Sequence, residues 1–364
     1  DIHPGDVFLV NDPYVGGTHF NDTRVLVPIF WQDTLIAWSE ANGHWADMGG
    51  SVPGSFDVTA HDMFKEGIRV PPVKIWDRGK YRGDVAKLIA KNTRDPAAII
   101  GDMDAQTQAC KLAEREVLRL AEKYGVKTMT TAFIDVQDYV ERTVRQRLAE
   151  LPDGTWETVD FVDQDPGDEE KMIPICVKIS IAGDHVEFDL TGSHSTIRSM
   201  YNCAFGGTFA GIVAGMKTFF PDIPLNAGFY RAITVTVPDD TIVSAKWPIA
   251  VSGFVMPFEK IMNSIFELWS KLMPERAMAC AFNIEYLLTG GYDARYPDRP
   301  YFMFYDWLSG GWGGRNGKDG LGVTSSPFGV GLMTQPVEGQ ERMCPIRTDR
   351  FEIVTDSAGP GEFR

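Results

Sequence analysis

Asn11-Asp12-Pro13-Tyr14-Val15-Gly16-Gly17-Thr18-His19-Phe20-Asn21-Asp22, followed by Gly43-His44-Trp45-Ala46-Asp47-Met48-Gly49-Gly50, decides how this chain reads. The apolar run Val7–Val10 leads into the first block. Arg24–Trp31 and Thr34–Ser39 separate the two blocks, with Gln32-Asp33 as a short turn between them. The first fifty residues are therefore expected to form a β meander. His19 and Asp22 stand three apart, and His44 follows His19 by 25 residues. Imidazole and carboxylate together suit Zn²⁺, Mn²⁺ or Fe²⁺, and three protein ligands leave positions for water and substrate. Gly16-Gly17 and Gly49-Gly50 permit tight turns that aim short side chains into one cavity.

Spacing alone leaves a second reading open. His19 then bonds a carbonyl on an edge strand or loop, and Asp22 is a turn residue in Asn21-Asp22-Thr23. His44 becomes a structural strand end, Asp12 a turn opener before Pro13, and Asp47 the start of an Asx turn. Other candidates are weaker. His61-Asp62 with Glu66 offers acid/base groups but reads better as a solvated face. The run Gly310-Gly311-Trp312-Gly313-Gly314-Arg315-Asn316-Gly317 could cradle an anion on its N–H groups. It lacks the form and the strand–loop–helix setting of a phosphate loop, and no GxSxG elbow occurs. Cys280 reads as a core residue of an apolar helix.

Composition narrows the classes. The 364 residues suffice for two or three domains, with 44% hydrophobic and 23% charged residues, as in a soluble globular protein. No apolar run approaches the ~20 residues of a membrane span, and no signal peptide is evident, so no membrane partner is expected. A formal net charge of −15 with scattered basic residues argues against nucleic acid. Cys110, Cys176, Cys203, Cys280 and Cys344 form no CxxC pair, which supports neither a thiolate zinc site nor a disulfide scaffold. A reducing cytoplasm is the expected setting.

Along the chain, residues 1–100 read as a β-rich metal-site region, 48–75 being irregular around Pro53-Gly54 and Pro71-Pro72. Residues 101–153 read as a helical pair, Asp102–Tyr124 ending at Gly125 and Thr131–Leu151 ending at Pro152, packed antiparallel. Residues 154–308 read as an α+β region. Its expected strands are Trp156–Val162, Ile175–Ile181, Val186–Leu190, Ala232–Val237, Ile242–Ala245 and Tyr301–Trp307, and its expected helices Gly206–Phe220 and Glu259–Leu272. Asp163–Glu170 reads as an acidic loop. Residues 309–364 are a glycine-rich segment that looks like the approach to a truncated C-terminal part of a longer subunit. The fold class is α+β.

These motifs resemble the hydantoinase B/oxoprolinase family. The resemblance rests on Gly5-Asp6-Val7-Phe8, the Asn11–Asp22 and His44–Gly50 blocks, and Gly67-Ile68-Arg69-Val70-Pro71-Pro72-Val73-Lys74. It continues through Asn92-Thr93-Arg94, Gly101-Asp102, Pro274-Glu275-Arg276, Gly310–Arg315, Pro336-Val337-Glu338 and Asp356–Gly361. The family includes B subunits of ATP-dependent hydantoinases, part of 5-oxoprolinase, caprolactamase, and subunits of acetone and acetophenone carboxylases. The resemblance implies that His19, Asp22 and His44 bind the metal, manganese or zinc. Many relatives carry two adjacent histidines where this chain has His44-Trp45, and Trp45 is expected to narrow the pocket or favour an aromatic or bulky substrate. The implied fold has barrel-like β-sheets with helical insertions and glycine-rich, polyproline-II-like segments.

The resemblance further implies a hetero-oligomer with an A-type subunit that binds ATP on an actin/hexokinase-like fold. That subunit phosphorylates the carbonyl oxygen of a cyclic amide (hydantoin, 5-oxoproline or lactam). Water activated at the metal then attacks, with Asp47 or Asp12 orienting ligands or accepting a proton. The alternatives are a subunit of an ATP-dependent ketone carboxylase and a non-catalytic scaffold subunit.

Overall fold

The computed structural model describes residues 1–163, 171–329 and 331–364. The expected acidic loop 163–170 therefore falls almost entirely outside the described residues. The meander is present. β1 (Val7–Val10), β2 (Asp22–Trp31) and β3 (Thr34–His44) join β4 (Val73–Asp77) and β5 (Lys80–Tyr81) in an antiparallel sheet of order β3-β2-β1-β4-β5. Along β2, Val25, Val27 and Ile29 alternate onto one buried face with Val7, Leu9 and Ile75, the period that the pleat demands.

That face is covered by α1 (Gly83–Ala90) and α2 (Pro96–Tyr124), which contribute Ile89, Ile99, Met103 and Cys110 to the first core. The second helix starts six residues earlier than the sequence pattern suggested. Asp95 caps it by accepting from Ala98 N at 3.0 Å, and Pro96 occupies the first turn, where its missing N–H costs nothing. Gly101 inside the first turns hid that start.

Gly125, at φ +81°, breaks the chain into α3 (Val126–Ala149). Each helix packs mainly elsewhere than on its neighbour. α2 lies on β2 and β3, whereas Val140, Val144 and Leu148 of α3 belong to the second core.

The second core is built on β6 (Gly154–Val162), β7 (Ile173–Ala182) and β8 (His185–Asp189). α4 (Phe205–Phe219), α5 (Ala227–Tyr230), β9 (Ile233–Thr236) and α6 (Val255–Leu272) follow. The sheet order is β6-β7-β8-β9, with β8 and β9 parallel. Ile173, Ile175, Val177, Ile179 and Ile181 line its inner face at period two. α4 and α6 pack closely because α4 presents glycine. A Cβ at Gly211 would sit 3.0 Å from Phe258 O, and one at Gly215 would sit 2.7 Å from Ile265 Cγ2.

The expected strand Ile242–Ala245 is instead a buried turn. Thr241 N donates to Ser244 Oγ at 3.2 Å and Ser244 N to Thr241 O at 3.0 Å, so local bonds replace a sheet ladder.

Neither sheet closes. Edges remain at β3, β5, β6 and β9, so the barrel expected from the resemblance is not formed among the described residues. A hairpin of β10 (Tyr286–Tyr292) and β11 (Tyr301–Trp307) follows, and then α7 (Val337–Met343). The glycine-rich stretch between them runs largely without regular structure, touching residues 278–281 through the isolated bridges Met278↔Arg315 and Ala281↔Trp312. Cys280, expected in a helical core, is exposed here, and all five cysteines are free. No helix among the described residues is long and apolar enough to cross a membrane.

The two cores meet through polar ties. Tyr14 Oη donates to Ile249 O, and Met63 N donates to Pro248 O at 2.9 Å. Glu66, expected on a solvated face, is fully buried and accepts from Val251 N at 3.0 Å and Ser252 N at 2.6 Å. Burial pushes its pKa up to about 7 despite those donors. Glu259, equally buried on α6, accepts from Ile284 N at 2.6 Å, and burial pushes it up to about 7 as well.

A pH dependence of stability follows. Both folded-state pKa values lie above the ordinary glutamate value of 4.5, so the folded chain holds extra protons between roughly pH 4.5 and 7. Stability contributed by each carboxyl is complete below that window and is lost as pH rises through it, by roughly 3 kcal/mol each. His44, lowered by burial, works in the opposite sense below its ordinary value of 6.5. Glu66→Gln and Glu259→Gln should therefore each flatten the fall of Tm between pH 5 and 7.5. Unchanged slopes in both variants would contradict this account.

Candidate metal centre

The register of β2 on β3 assembles the site. Asp22, first in β2, pairs directly with His44, last in β3, so their side chains share one face. That pairing depends on an irregularity. Trp31 faces Thr34 and Phe30 faces Leu35, but Ile29 faces Ala37, leaving Ile36 as an extra residue. Without it Asp22 would oppose Gly43, and His44 would point to the other face of the sheet.

His19 arrives from the preceding turn, in which Asp22 N donates to His19 O at 3.2 Å. This turn is pressed against α4. A Cβ at Gly206 would lie 2.5 Å from Gly17 O, so only glycine allows the helix to approach the loop.

The three side chains converge. His19 Nε2 lies 3.1 Å and His44 Nδ1 3.3 Å from the same oxygen, Asp22 Oδ1. One ligand atom from each residue falls within 4.8 Å of the others. Thr18 Oγ1 donates to the second oxygen of Asp22. The buried Nδ1 of His19 has no hydrogen-bond partner among the described residues.

Two imidazoles and one carboxylate are a donor set that suits Zn²⁺ or Mn²⁺, so the residues fit the ion that the resemblance implies. Burial alone would raise the Asp22 carboxyl, but the His19 and His44 imidazoles beside it hold it well below the usual carboxylate range. Asp22 is thus ionised throughout the neutral range and ready to ligate without losing a proton.

The site is reachable. Asp22 and His44 keep 19% and 35% of their side-chain surface accessible, yet burial is the first influence on both ionisations. Aromatic rings flank the ligands. Phe254, at the start of α6, stands 5.1 Å from the His19 ring, and Phe56 stands 5.4 Å from it. Tyr305 of β11 stacks on His44 at 5.8 Å and 23°. Burial, followed by the nearby charge of Asp22, raises the Tyr305 hydroxyl above its ordinary value, so it stays neutral.

The two other acids named from sequence stand outside this cluster. Asp12 Oδ1 accepts from Tyr14 N at 3.0 Å, the Asx-type turn of the structural reading, and its Oδ2 lies 3.6 Å from Arg69 Nε. Asp47 is buried. Gly49 N and Arg94 N donate to its Oδ1, each at 2.9 Å, and Gly54 N (3.1 Å) and Arg94 Nη1 (2.9 Å) donate to its Oδ2. Trp45 does not narrow the pocket. It points to the opposite face from His44, into the first core, and its Nε1 donates to Gln106 Oε1 at 2.8 Å.

Sequence reasoning missed Arg94, Phe56, Phe254 and Tyr305. Arg94 stood in the quoted Asn92-Thr93-Arg94, and an unassigned arginine was a usable partner for an acid as buried as Asp47. The three rings come from distant segments and leave no spacing signal.

The family profile described as Hydantoinase B/oxoprolinase matches residues 1–364. Caprolactamase subunit beta of Pseudomonas jessenii is 30% identical over 370 residues, which cover 100% of this chain and 63% of that protein. The crystal structure of ATP-dependent caprolactamase from Pseudomonas jessenii superposes with a TM-score of 0.89 at 28% identity, over 100% of this chain and 63% of that one. The nucleotide-free structure of acetone carboxylase gives a TM-score of 0.85 at 20% identity, over 94% of this chain and 48% of that one. At that identity the likeness is one of fold. The chain thus spans about 63% of the length of the caprolactamase relative.

Proposed function

The chain belongs to the hydantoinase B/oxoprolinase family, and from that premise we propose that it is the metal-dependent catalytic part of an ATP-dependent cyclic-amide hydrolase. It acts with an ATP-binding A-type subunit in a cytoplasmic hetero-oligomer. The observation that carries this reading is the convergence of His19, Asp22 and His44 within 4.8 Å, with His19 buried and His44 open to solvent. The name of the caprolactamase relative supports the hydrolytic branch.

His19, Asp22 and His44 would hold the ion. A divalent ion there supplies Lewis acidity, which polarises an activated carbonyl and makes water a stronger acid. The protein's own residues do the rest. Asp22 Oδ1 fixes both imidazoles at once, and Thr18 holds the carboxylate from behind. Phe254 and Phe56 pack against the His19 ring at 5.1 and 5.4 Å.

Asp47 positions rather than transfers protons in this proposal, because both its oxygens are already filled by four donors and its role is to hold the loop after His44. Asp12, engaged by Tyr14 N and Arg69, shapes the His19 loop in the same way.

The test is ATP turnover by the complex reconstituted with a candidate A-type subunit. Lactams or hydantoins are expected to stimulate ATP hydrolysis and to be opened. Turnover only with ketones plus bicarbonate would assign the carboxylase alternative instead.

A further inference from the structure

We infer that Glu259, Asn263 and Ser326 form an oxygen-lined site for one alkali cation, where α6 meets the segment leading into β10. Glu259 and Asn263 stand one turn apart on α6, so their side chains lie side by side. Both reach adjacent residues of that segment. Glu259 Oε2 accepts from Ile284 N at 2.6 Å, and Asn263 Nδ2 donates to Asn283 Oδ1 at 3.0 Å. Each side chain is thus held by one of its two terminal atoms. The other two, Glu259 Oε1 and Asn263 Oδ1, are buried with no hydrogen-bond partner among the described residues.

The Ser326 hydroxyl borders the same carboxyl without completing a hydrogen bond to it. Glu259, Asn263 and Ser326 are 1%, 5% and 1% exposed, so bulk water does not serve these oxygens. A counter-charge does not serve them either. No lysine, arginine or histidine among the described residues forms an ion pair with Glu259, and Lys260, next along the helix, turns to Asp160 at 3.8 Å. A buried anion without a partner charge is unfavourable. A carboxylate, an amide oxygen and a hydroxyl are hard donors that together carry one negative charge, which one Na⁺ or K⁺ neutralises. Calcium sites gather more carboxylate charge than this. The set contains no imidazole, which separates it from the His19, Asp22 and His44 centre.

The cation ties α6 to the start of the hairpin. α6 begins at Phe254, which packs on His19, and β10 pairs with β11, which carries Tyr305 beside His44. The site therefore fixes the junction between the two elements that bring these rings to the metal ligands. It is independent of the reaction proposed above, and its test needs no substrate.

The test is thermal unfolding of the purified protein above pH 7, where Glu259 ionises, in potassium, sodium or choline chloride at equal ionic strength. Tm is expected to be higher by roughly 2 °C or more in an alkali chloride than in choline chloride, because an ion that binds only the folded state stabilises it by mass action. Glu259→Gln keeps the shape and removes the charge, so the difference should vanish. Asn263→Ala, which leaves the carboxylate, gives the same comparison should Glu259→Gln fail to fold. Asn263→Asp adds a second carboxylate and should make Tm rise with Ca²⁺ beyond any rise in the wild type. Equal Tm in all three chlorides would put a proton or water between these oxygens and overturn the site. An alkali effect that survives both Glu259→Gln and Asn263→Ala would place the ion elsewhere and overturn it too. A calcium response of the wild type that Glu259→Gln abolishes would replace the alkali cation with a divalent one.

Discussion

His44→Ala is expected to strip the divalent metal from the purified complex and to lower turnover at least about 100-fold, while the fold survives. Loss of groups that merely orient metal ligands costs ~10- to 100-fold in affinity or activity, and a ligand itself should cost no less. His44 is the cleanest position at which to ask. Its side chain is 35% accessible, and its one polar contact among the described residues is the 3.3 Å approach to Asp22 Oδ1. His19→Ala should have the same effect on metal and activity, but with an added loss of stability, because the His19 side chain is only 4% accessible and packs on Phe56 and Phe254. Elemental analysis against turnover decides the matter. Should both variants keep their metal and their rate, the cluster is a structural hydrogen-bond group and the catalytic proposal falls. Depleting the wild-type complex with a chelator and restoring Zn²⁺ or Mn²⁺ separately should return activity and identify the ion.

Why the sequence showed so much of this centre and so little of its surroundings has a physical answer. Alternating valines and isoleucines and a two-residue turn are local signals, and they placed β1, β2 from Arg24 onward and the first six residues of β3, while Asp22 and His44 lay beyond the expected strand ends. The approach of Asp22 to His44 was only half visible. Counting back from Gln32-Asp33 without a bulge puts Asp22 opposite Gly43, and nothing in Ile29-Phe30 or Leu35-Ile36 announces the extra residue.

Trp45 illustrates the same period from the other side. One step beyond His44 it must point the opposite way, so its place in the core was legible from alternation, and the expectation that it narrows the pocket ignored that. Glu66 and the aromatic rings beside the ligands were not legible. Glu66 looked like one acid in a polar stretch, and only contact with Val251 and Ser252, far along the chain, buries it. Phe254 and Tyr305 reach the site from α6 and β11, a juxtaposition that belongs to the packing of two cores and not to any segment. The barrel, inferred from resemblance, failed for the same reason: closure is a property of strand order across the whole chain.

Arg94→Ala should destabilise the chain by about 3–5 kcal/mol, the range for removing one partner of a buried ion pair. Asp47 is 1% exposed, and among the described residues Arg94 supplies the only opposite charge at bonding distance from its carboxylate. Without the guanidinium, the N–H groups of Gly49, Gly54 and residue 94 still donate, but a buried anion is left without its counter-charge. Two carbonyls lose partners as well, since Arg94 Nη1 donates to Gly49 O at 3.0 Å and Nη2 to Gly50 O at 2.9 Å.

Arg94→Lys should recover only part of the loss, because an ammonium cannot repeat the planar fork that reaches Asp47 and both carbonyls together. Asp47→Asn in the Arg94→Ala background should cost much less than the sum of the single changes, since removing the charge removes the reason for the penalty. Urea unfolding of the four proteins provides the cycle, and a loss below about 1 kcal/mol for Arg94→Ala would mean that water replaces the guanidinium freely. The consequence for the site is specific. The clamped loop joins His44 at one end to Phe56 at the other, so releasing it should loosen the Phe56 ring beside His19 before it loosens the metal site. Arg94→Lys, the milder variant, is then expected to raise KM while holding its metal, whereas an equal loss of metal and of rate would place Asp47 and Arg94 in the support of the ligands themselves.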